Sequence, residues 1–119
     1  TTCRRQRQMC IRDRLKGGTL YISGQIALNA ESMKLNNESI NDETHQVMIN
    51  LKTILEEAEM SFNNVVKSSI FLSDMSLFKE VNEIYGSYLN TGNEPARETI
   101  AVKTLPMNVN VEISMIAII

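Results

Sequence analysis

The spacing of apolar residues predicts six regular elements after residue 16. Runs of β-branched and aromatic residues, or strict alternation, predict strands, and spacings of three and four predict helices. The predicted order is strand 19–26, helix 42–60, strand 65–72, helix 77–90, strand 97–104 and strand 109–118. This order predicts an α+β domain in which two helices pack on one face of a mixed sheet.

Residues with special backbone roles lie where these elements are expected to begin, end or bend. Asn41 or Asp42 is expected to cap the first helix, and Asp74 or Ser76 the second. Gly92 suits the end of the second helix. The pair Gly17-Gly18 predicts a hairpin turn, whereas Gly24, inside a strand, predicts a bulge or a close approach to the backbone.

The last predicted strand is too apolar to lie with one face in water. Val111, Ile113 and Met115 alternate with polar residues, but the segment ends in Ile116-Ala-Ile-Ile119. Two helices can cover only one face of the sheet, so we expect the other face to contact further copies of the chain.

Length and charge exclude several classes of protein. The 119 residues suit one domain, and no apolar run approaches the roughly 20 residues that a membrane span requires. Residues 1–16 hold six basic residues against one acid, whereas the remainder holds six against thirteen. An acidic body argues against binding of nucleic acid by the folded part.

Residues 1–14 are interpreted as a non-native leader ahead of a single domain, 15–119. They show no helical or strand periodicity, and Arg-Gln-Arg-Gln-Met-Cys-Ile-Arg-Asp resembles a translated sequencing adapter. A basic arm for an acidic partner and a disordered terminus are the alternatives. Both cysteines, Cys3 and Cys10, fall in this leader, so the body is compatible with a reducing, cytoplasmic location. An organelle stays open because the authentic N-terminus is expected to be missing.

Arg97 and Glu112 are the candidate chemical groups. Arg97 stands in Pro95-Ala-Arg-Glu-Thr-Ile100, among few basic residues, and a guanidinium can grip a carboxylate at two points. Glu112 is a lone acid within an apolar strand and a candidate for proton transfer. Taken alone, Arg97 suits a structural ion pair better than a substrate clamp, and Glu112 also suits a solvent-facing strand position.

Five segments in order give the chain its resemblance to a known family. They are Leu20-Tyr-Ile-Ser-Gly-Gln-Ile26, Val65-Val-Lys-Ser-Ser-Ile-Phe-Leu-Ser-Asp-Met75, Phe78-Lys-Glu-Val-Asn-Glu-Ile-Tyr85, Pro95-Ala-Arg97, and Leu105-Pro followed by Val111-Glu-Ile113. From about residue 15 onward, the chain resembles the Rid family of reactive intermediate and imine deaminases. The resemblance implies a chorismate-mutase-like fold, a homotrimer with sites between subunits, and cofactor-free hydrolysis of 2-aminoacrylate and 2-iminopropionate to a 2-keto acid and ammonia.

The resemblance also implies roles for individual residues. Arg97 matches the arginine that binds the substrate carboxylate, and Glu112 matches the acid that positions or activates water. Ser23 and Asn82 match other positions of the pocket, and Thr99 stands where many members carry cysteine. The implied partners are small 2-imino and 2-keto acids and further copies of the chain, with no metal.

Three departures from the family pattern bear on these roles. The usual Gly-Pro-Tyr-Ser-Gln-like segment, whose tyrosine lines the pocket, is replaced by the leader. Glu98 stands where a small residue is usual, although its side chain should point away from that of Arg97. Glu59 occupies a position where a glycine commonly ends the helix, which should reduce stability slightly.

Two other functions fit the same residues. One is a non-catalytic trimer that binds small carboxylates in the same clefts. The other is an RNA-cleaving inhibitor of translation, against which the acidic body speaks, because phosphate binding requires clustered basic residues.

Overall fold

The computed structural model describes residues 14–119, which form one mixed sheet and two α-helices. The expected leader lies outside the described residues except for Arg14, the first residue of β1. The elements are β1 (Arg14–Lys16), β2 (Thr19–Gln25), α1 (Ile40–Glu57), β3 (Val65–Leu72), α2 (Phe78–Ser87), β4 (Ala96–Ala101) and β5 (Val111–Ile118).

The sheet has the strand order β1-β2-β5-β3-β4. β5 pairs antiparallel with both β2 and β3, and β1 pairs antiparallel with β2 across the Gly17-Gly18 turn. β3 and β4 are parallel, since α2 carries the chain back between them. The predicted α+β architecture, with helices on a mixed sheet, is confirmed.

The hydrophobic core lies between the helices and one face of the sheet. Along β5 the residues of this face are fully or almost fully buried, and they pack with the apolar side of α1. These residues are Val111, Ile113, Met115 and Ala117 on β5, and Val47, Met48, Leu51, Ile54 and Leu55 on α1.

The opposite face of the sheet, here called the open face, has no helix over it in the part of the chain that the structure describes. Ile100 and Ile118 have relative exposures of 49% and 47%, and Tyr21 is equally exposed. Exposed apolar side chains on a pleated surface are typical of a face that contacts another protein. The expectation of an uncovered apolar face is therefore met within residues 14–119.

The first helix begins and ends earlier than predicted. Its N-cap is Ser39 rather than Asn41 or Asp42, and the Ser39 hydroxyl accepts a hydrogen bond from the Asp42 N–H at 3.0 Å. Ser39 adopts the extended conformation required of a cap, which leaves Asp42 within the first turn. The helix ends before Glu59, whose φ of 60° is the left-handed conformation that glycine adopts without strain.

The second helix is also shorter than predicted, because a 3₁₀ turn, Met75–Leu77, precedes it. Asp74 caps this turn by accepting a hydrogen bond from the Ser76 N–H at 2.8 Å, so the cap is placed correctly but belongs to the turn. The predicted role of Gly92 is wrong: the helix ends at Ser87, and Gly92 lies in a separate turn with φ 88°.

The last two strands are shorter than the apolar pattern predicts. β4 stops at Ala101, after which the chain leaves the edge of the sheet. A second 3₁₀ turn, Pro106–Asn108, contains two residues with φ of 55°, Met107 and Asn108, and delays the start of β5 to Val111. Apolar residues continue through this connection, which explains the overlong prediction.

We expect Ser39→Ala to lower the free energy of unfolding by about 1 kcal/mol, because the Asp42 N–H loses its side-chain acceptor. Urea unfolding at neutral pH measures this change. Thr91→Ala is the matched control, since Thr91 is exposed and its hydroxyl makes no hydrogen bond among residues 14–119. Equal stability of the two variants would contradict the assignment of the cap.

Candidate functional site

Arg97 lies against two aromatic rings on the helix-covered face. On β4 it pairs with Ser68 of β3, a fully buried residue of that face. The guanidinium carbon lies 5.5 Å from the Phe78 ring centroid and 5.8 Å from that of Tyr85. Both rings belong to α2, and such contacts attract a cation to the ring face. The rings hold the guanidinium without neutralising it.

A cavity of about 420 Å³ opens beside Arg97. Within residues 14–119 no carboxylate approaches the guanidinium within the 4.0 Å of an ion pair. The ordinary interpretation of Arg97 as a structural ion-pair residue therefore has no support in the described part of the chain. The candidate Asn82 lines this cavity. The full set of lining residues is Asn82, Tyr85, Gly86, Leu89, Glu94, Pro95 and Arg97.

Three buried hydroxyl groups lie on this side of the molecule. The side-chain oxygens of Ser68, Tyr85 and Thr99 are buried and have no hydrogen-bond partner of good geometry. Burial raises the pKa of the Tyr85 hydroxyl, and the nearby Ser68 hydroxyl and Arg97 charge partly offset this rise. Thr99 pairs with buried Ile70, so it shares the face of Arg97 as the alternation predicts, but it does not line the cavity.

Glu112 and Ser23 lie together on the open face. They line a second cavity of about 400 Å³, which also contains Lys67 and Ser69. Partial burial raises the pKa of the Glu112 carboxyl group, because the charged form is less well solvated there. A carboxyl group in this state can accept and release a proton closer to neutral pH than an exposed one.

Glu98 also lies on the open face, as expected of the strand neighbour of Arg97. Its carboxylate is 3.3 Å from the Lys67 ammonium and accepts a hydrogen bond from the Ser69 hydroxyl at 3.1 Å. Glu98 therefore faces away from the Arg97 cavity, with Lys67 as its partner.

Gly24 makes room for the Glu112 side chain. The pairing of β2 with β5 shifts register between Ile22 and Gln25, which confirms the predicted bulge. A Cβ at position 24 would lie 2.7 Å from Glu112 Cγ and would overlap the carboxyl group. The predicted close approach at Gly24 is thus made by Glu112.

The sheet separates the candidate residues into two groups. Asn82, Arg97 and Thr99 lie on the side of the helices, whereas Ser23 and Glu112 lie on the open face. One chain cannot bring the Arg97 guanidinium and the Glu112 carboxylate to the same small ligand, because the sheet lies between them.

Sequence reasoning missed the aromatic support of Arg97. Helical spacing places Phe78 and Tyr85 on the apolar side of α2, but it does not indicate that their rings meet a residue of β4. No sequence signal identifies such a contact, because it depends on the crossover between β3 and β4.

The described residues contain neither a metal-ligand cluster nor a membrane-spanning helix. Within residues 14–119 no three histidine, cysteine, aspartate or glutamate side chains come together as metal ligands would. None of the helices in this range has the length and apolarity to cross a bilayer.

We expect Gly24→Ala to displace the Glu112 carboxyl group, because the added methyl occupies its position. An off-rotamer side chain costs about 1 kcal/mol. A crystal structure and urea unfolding measure the two effects. Gly86→Ala is the matched control, since a methyl group added at that position of α2 would have no neighbouring atom within 4 Å. A Gly24→Ala structure with Glu112 unmoved would overturn the packing argument.

Comparison with known proteins identifies the family to which this chain is similar. The family model described as Endoribonuclease L-PSP matches residues 11–119. A RutC family protein of Aquifex aeolicus is 44% identical over 102 residues, which are 85% of this chain and 81% of the relative. The chloroplastic Reactive Intermediate Deaminase A of Arabidopsis thaliana is 41% identical over 98 residues, which are 82% of this chain and 52% of that protein.

A solved structure agrees with the sequence relatives. The Rid family protein YyfA of Yersinia pestis superimposes with a TM-score of 0.87 and 34% identity, over 91% of this chain and 86% of YyfA. The family match, the curated relatives and this fold all agree with the five ordered segments. The chain therefore belongs to the Rid family, also known by the names YjgF and L-PSP.

Proposed function

We propose that this protein is an enamine and imine deaminase that hydrolyses small 2-imino acids, such as 2-iminopropionate, to a 2-keto acid and ammonia. The observation that carries the proposal is the Arg97 guanidinium, which lies against two aromatic rings beside a cavity and has no carboxylate partner within residues 14–119. The name of the Arabidopsis relative, a reactive intermediate deaminase, supports the same chemistry.

The proposed reaction requires an anion site and one proton-transfer group. Arg97 binds the substrate carboxylate through two N–H donors and orients the imine carbon. The substrate reacts with its imine nitrogen protonated. The Glu112 carboxylate takes a proton from water as the oxygen attacks the imine carbon, which yields a neutral carbinolamine. The same carboxyl group returns that proton to the nitrogen. The C–N bond then breaks, and the hydroxyl proton passes to the departing ammonia as the C=O bond forms, so the products are the 2-keto acid and ammonium. An enamine substrate first becomes the imine by protonation at carbon. No cofactor enters this scheme.

The separation of Arg97 from Glu112 supports a site shared between copies. We place Arg97, Asn82 and Thr99 of one chain opposite Ser23 and Glu112 of a neighbour, in a homotrimer of the chorismate-mutase-like type. The half-exposed Tyr21, Ile100 and Ile118 of the open face supply apolar surface for such contacts. A chain that is alone would then hold two incomplete half-sites.

A nuclease function, named in the description of the family model, has less support in this chain. After residue 16 there are six basic residues against thirteen acidic ones, and the Arg97 cavity also contains Glu94. Binding to RNA depends on clustered positive charge, so a salt titration of RNA binding distinguishes this function from the deaminase.

We expect Arg97→Ala and Glu112→Gln each to abolish the release of keto acid from 2-iminopropionate generated in situ. Equal amounts of the two variants, unfolded together and refolded as mixed trimers, should recover about a quarter of the wild-type activity. One pairing in four would join an intact Arg97 to an intact Glu112 across an interface.

Two controls accompany this experiment. Lys52→Ala removes an exposed charge on α1 and should leave the activity unchanged. Light scattering should report a trimer for each variant. Variants that each form a trimer but whose mixture shows no recovery of activity would contradict a shared site. A wild-type trimer that binds pyruvate but does not accelerate hydrolysis would instead indicate the non-catalytic carboxylate binder.

We expect kcat to rise with pH through the raised pKa of Glu112, because the carboxylate form accepts the proton from water. The free energy of unfolding should instead fall as the pH rises. The folded chain holds the Glu112 proton more tightly than the unfolded chain, so stability falls as pH rises from about 4.5 through the folded pKa.

Glu112→Gln is expected to be inactive, so it provides the control for the stability arm of this prediction. Glu112→Gln should remove the pH-dependent fall in stability, which urea unfolding at a series of pH values measures. A wild-type rate that decreases as the Glu112 carboxyl group ionises would show that the protonated form is the active one.

A further inference from the structure

Glu43 is a fully buried carboxylate that the proposed reaction does not use. It lies in the first turn of α1 and has no exposed surface. Its Oε2 accepts hydrogen bonds from the backbone N–H groups of Asn110, at 2.7 Å, and Val111, at 3.1 Å. Its Oε1 accepts a third, from the Asn110 side-chain amide, at 3.1 Å. Three donors and the positive end of a helix stabilise a charge that burial alone would strongly disfavour.

These hydrogen bonds hold the backbone where β5 begins. Val111 is the first residue of β5, and Glu112 follows it. Asn110 is also held by Ser73, the residue that follows β3. Its side-chain oxygen accepts a hydrogen bond from the Ser73 hydroxyl at 2.9 Å, and its backbone carbonyl accepts one from the Ser73 N–H at 3.0 Å. The 3₁₀ turn Pro106–Asn108 precedes this segment and contains two left-handed residues. The contacts of Glu43 therefore determine where an irregular connection becomes a strand.

We propose that Glu43 is a positioning residue for Glu112: by binding the backbone of Asn110 and Val111, it fixes the Glu112 carboxyl group in the space above Gly24. This inference rests on the proposed function, in which Glu112 transfers the proton. Glu43 touches neither cavity, so it acts only through the backbone of β5.

The surroundings of Glu112 distinguish positioning through the β5 backbone from a direct electrostatic effect of the Glu43 charge on the Glu112 carboxyl group. Among residues 14–119, Lys67 of β3, Glu98 of β4, Tyr21 of β2 and Lys16 of β1, opposite Thr19, are titratable groups on the open face with Glu112. Glu43 lies on the other side of the sheet, under the helix. Variants that preserve the hydrogen bonds while moving the charge should therefore leave Glu112 in place.

Three variants test the proposal. Glu43→Met removes both acceptor oxygens, and with them all three hydrogen bonds, at similar volume. Asn110→Asp places a second carboxylate beside Glu43 Oε1. The double variant Glu43→Gln with Asn110→Asp keeps the net charge and reverses the side-chain bond, because the glutamine amide then donates to the aspartate. The glutamine oxygen still accepts from both backbone N–H groups, and the Ser73 hydroxyl can still donate to residue 110.

Two measurements are made on each folded variant: the NMR titration of the Glu112 side-chain carboxyl carbon, and kcat and KM for 2-iminopropionate. Glu43→Met and Asn110→Asp should shift the Glu112 titration midpoint and lower kcat on the order of tenfold or more, with KM unchanged, because Arg97 is not disturbed. The double variant should restore both quantities to about the wild-type values.

The matched control is Ile54→Val, which loosens the core side of α1 without touching Glu43 or β5 hydrogen bonds. Glu43→Met and Asn110→Asp could lose thermal stability as Ile54→Val does while the Glu112 titration midpoint and kcat stay unchanged. That result would show that Glu43 is structural only. If Glu43→Met does not fold, Asn110→Asp and the double variant still decide the question. If the wild type proves inactive, the proposed function fails, but the titration of Glu112 still tests the positioning.

Discussion

The central position of β5 is the constraint on which the rest of the structure depends. It pairs with β2 on one side and β3 on the other, so its backbone is fixed along its length and its side chains must alternate between two faces. The helices cover one face, where residues such as Ile113 form the core. A shift of one residue in the register of β5 would exchange Ile113 with Glu112 and remove the core and the candidate site together.

The alternation of side chains between the two faces of the sheet also explains why assembly and function are expected to be coupled. The aromatic rings that support Arg97 come from α2, on the covered face, whereas the cavity of Glu112 lies on the open face. A sheet one layer thick cannot join the two groups. One arrangement is consistent with both the apolar open face and the incomplete half-sites. In it, a neighbouring copy covers the open face and supplies the missing group.

Two carboxylates near the start of β5 show how environment assigns different roles to the same side chain. Glu43 accepts three N–H donors and has no exposed surface. The Glu112 side chain makes no hydrogen bond within residues 14–119 and is only partly buried, which raises the pKa of its carboxyl group. The first arrangement suits a residue that holds the backbone in place, and the second suits a group that gains and loses a proton.

The sequence by itself determined the order and type of the six elements after residue 16, but not strand β1, which lies before the Gly17-Gly18 turn. It also determined the bulge at Gly24 and the opposite directions of Arg97 and Glu98, because periods of 2 and 3.6 are local properties of the backbone. The family resemblance implied which residues form the candidate site. Only the tertiary structure decided that Ser39 is the cap, that Arg97 lies on Phe78 and Tyr85, that Glu43 holds β5, and that Arg97 and Glu112 lie on opposite faces. The Ser39 cap is a local contact, but the others join residues far apart in the chain, and their geometry depends on how helices cross the sheet, which no local period encodes.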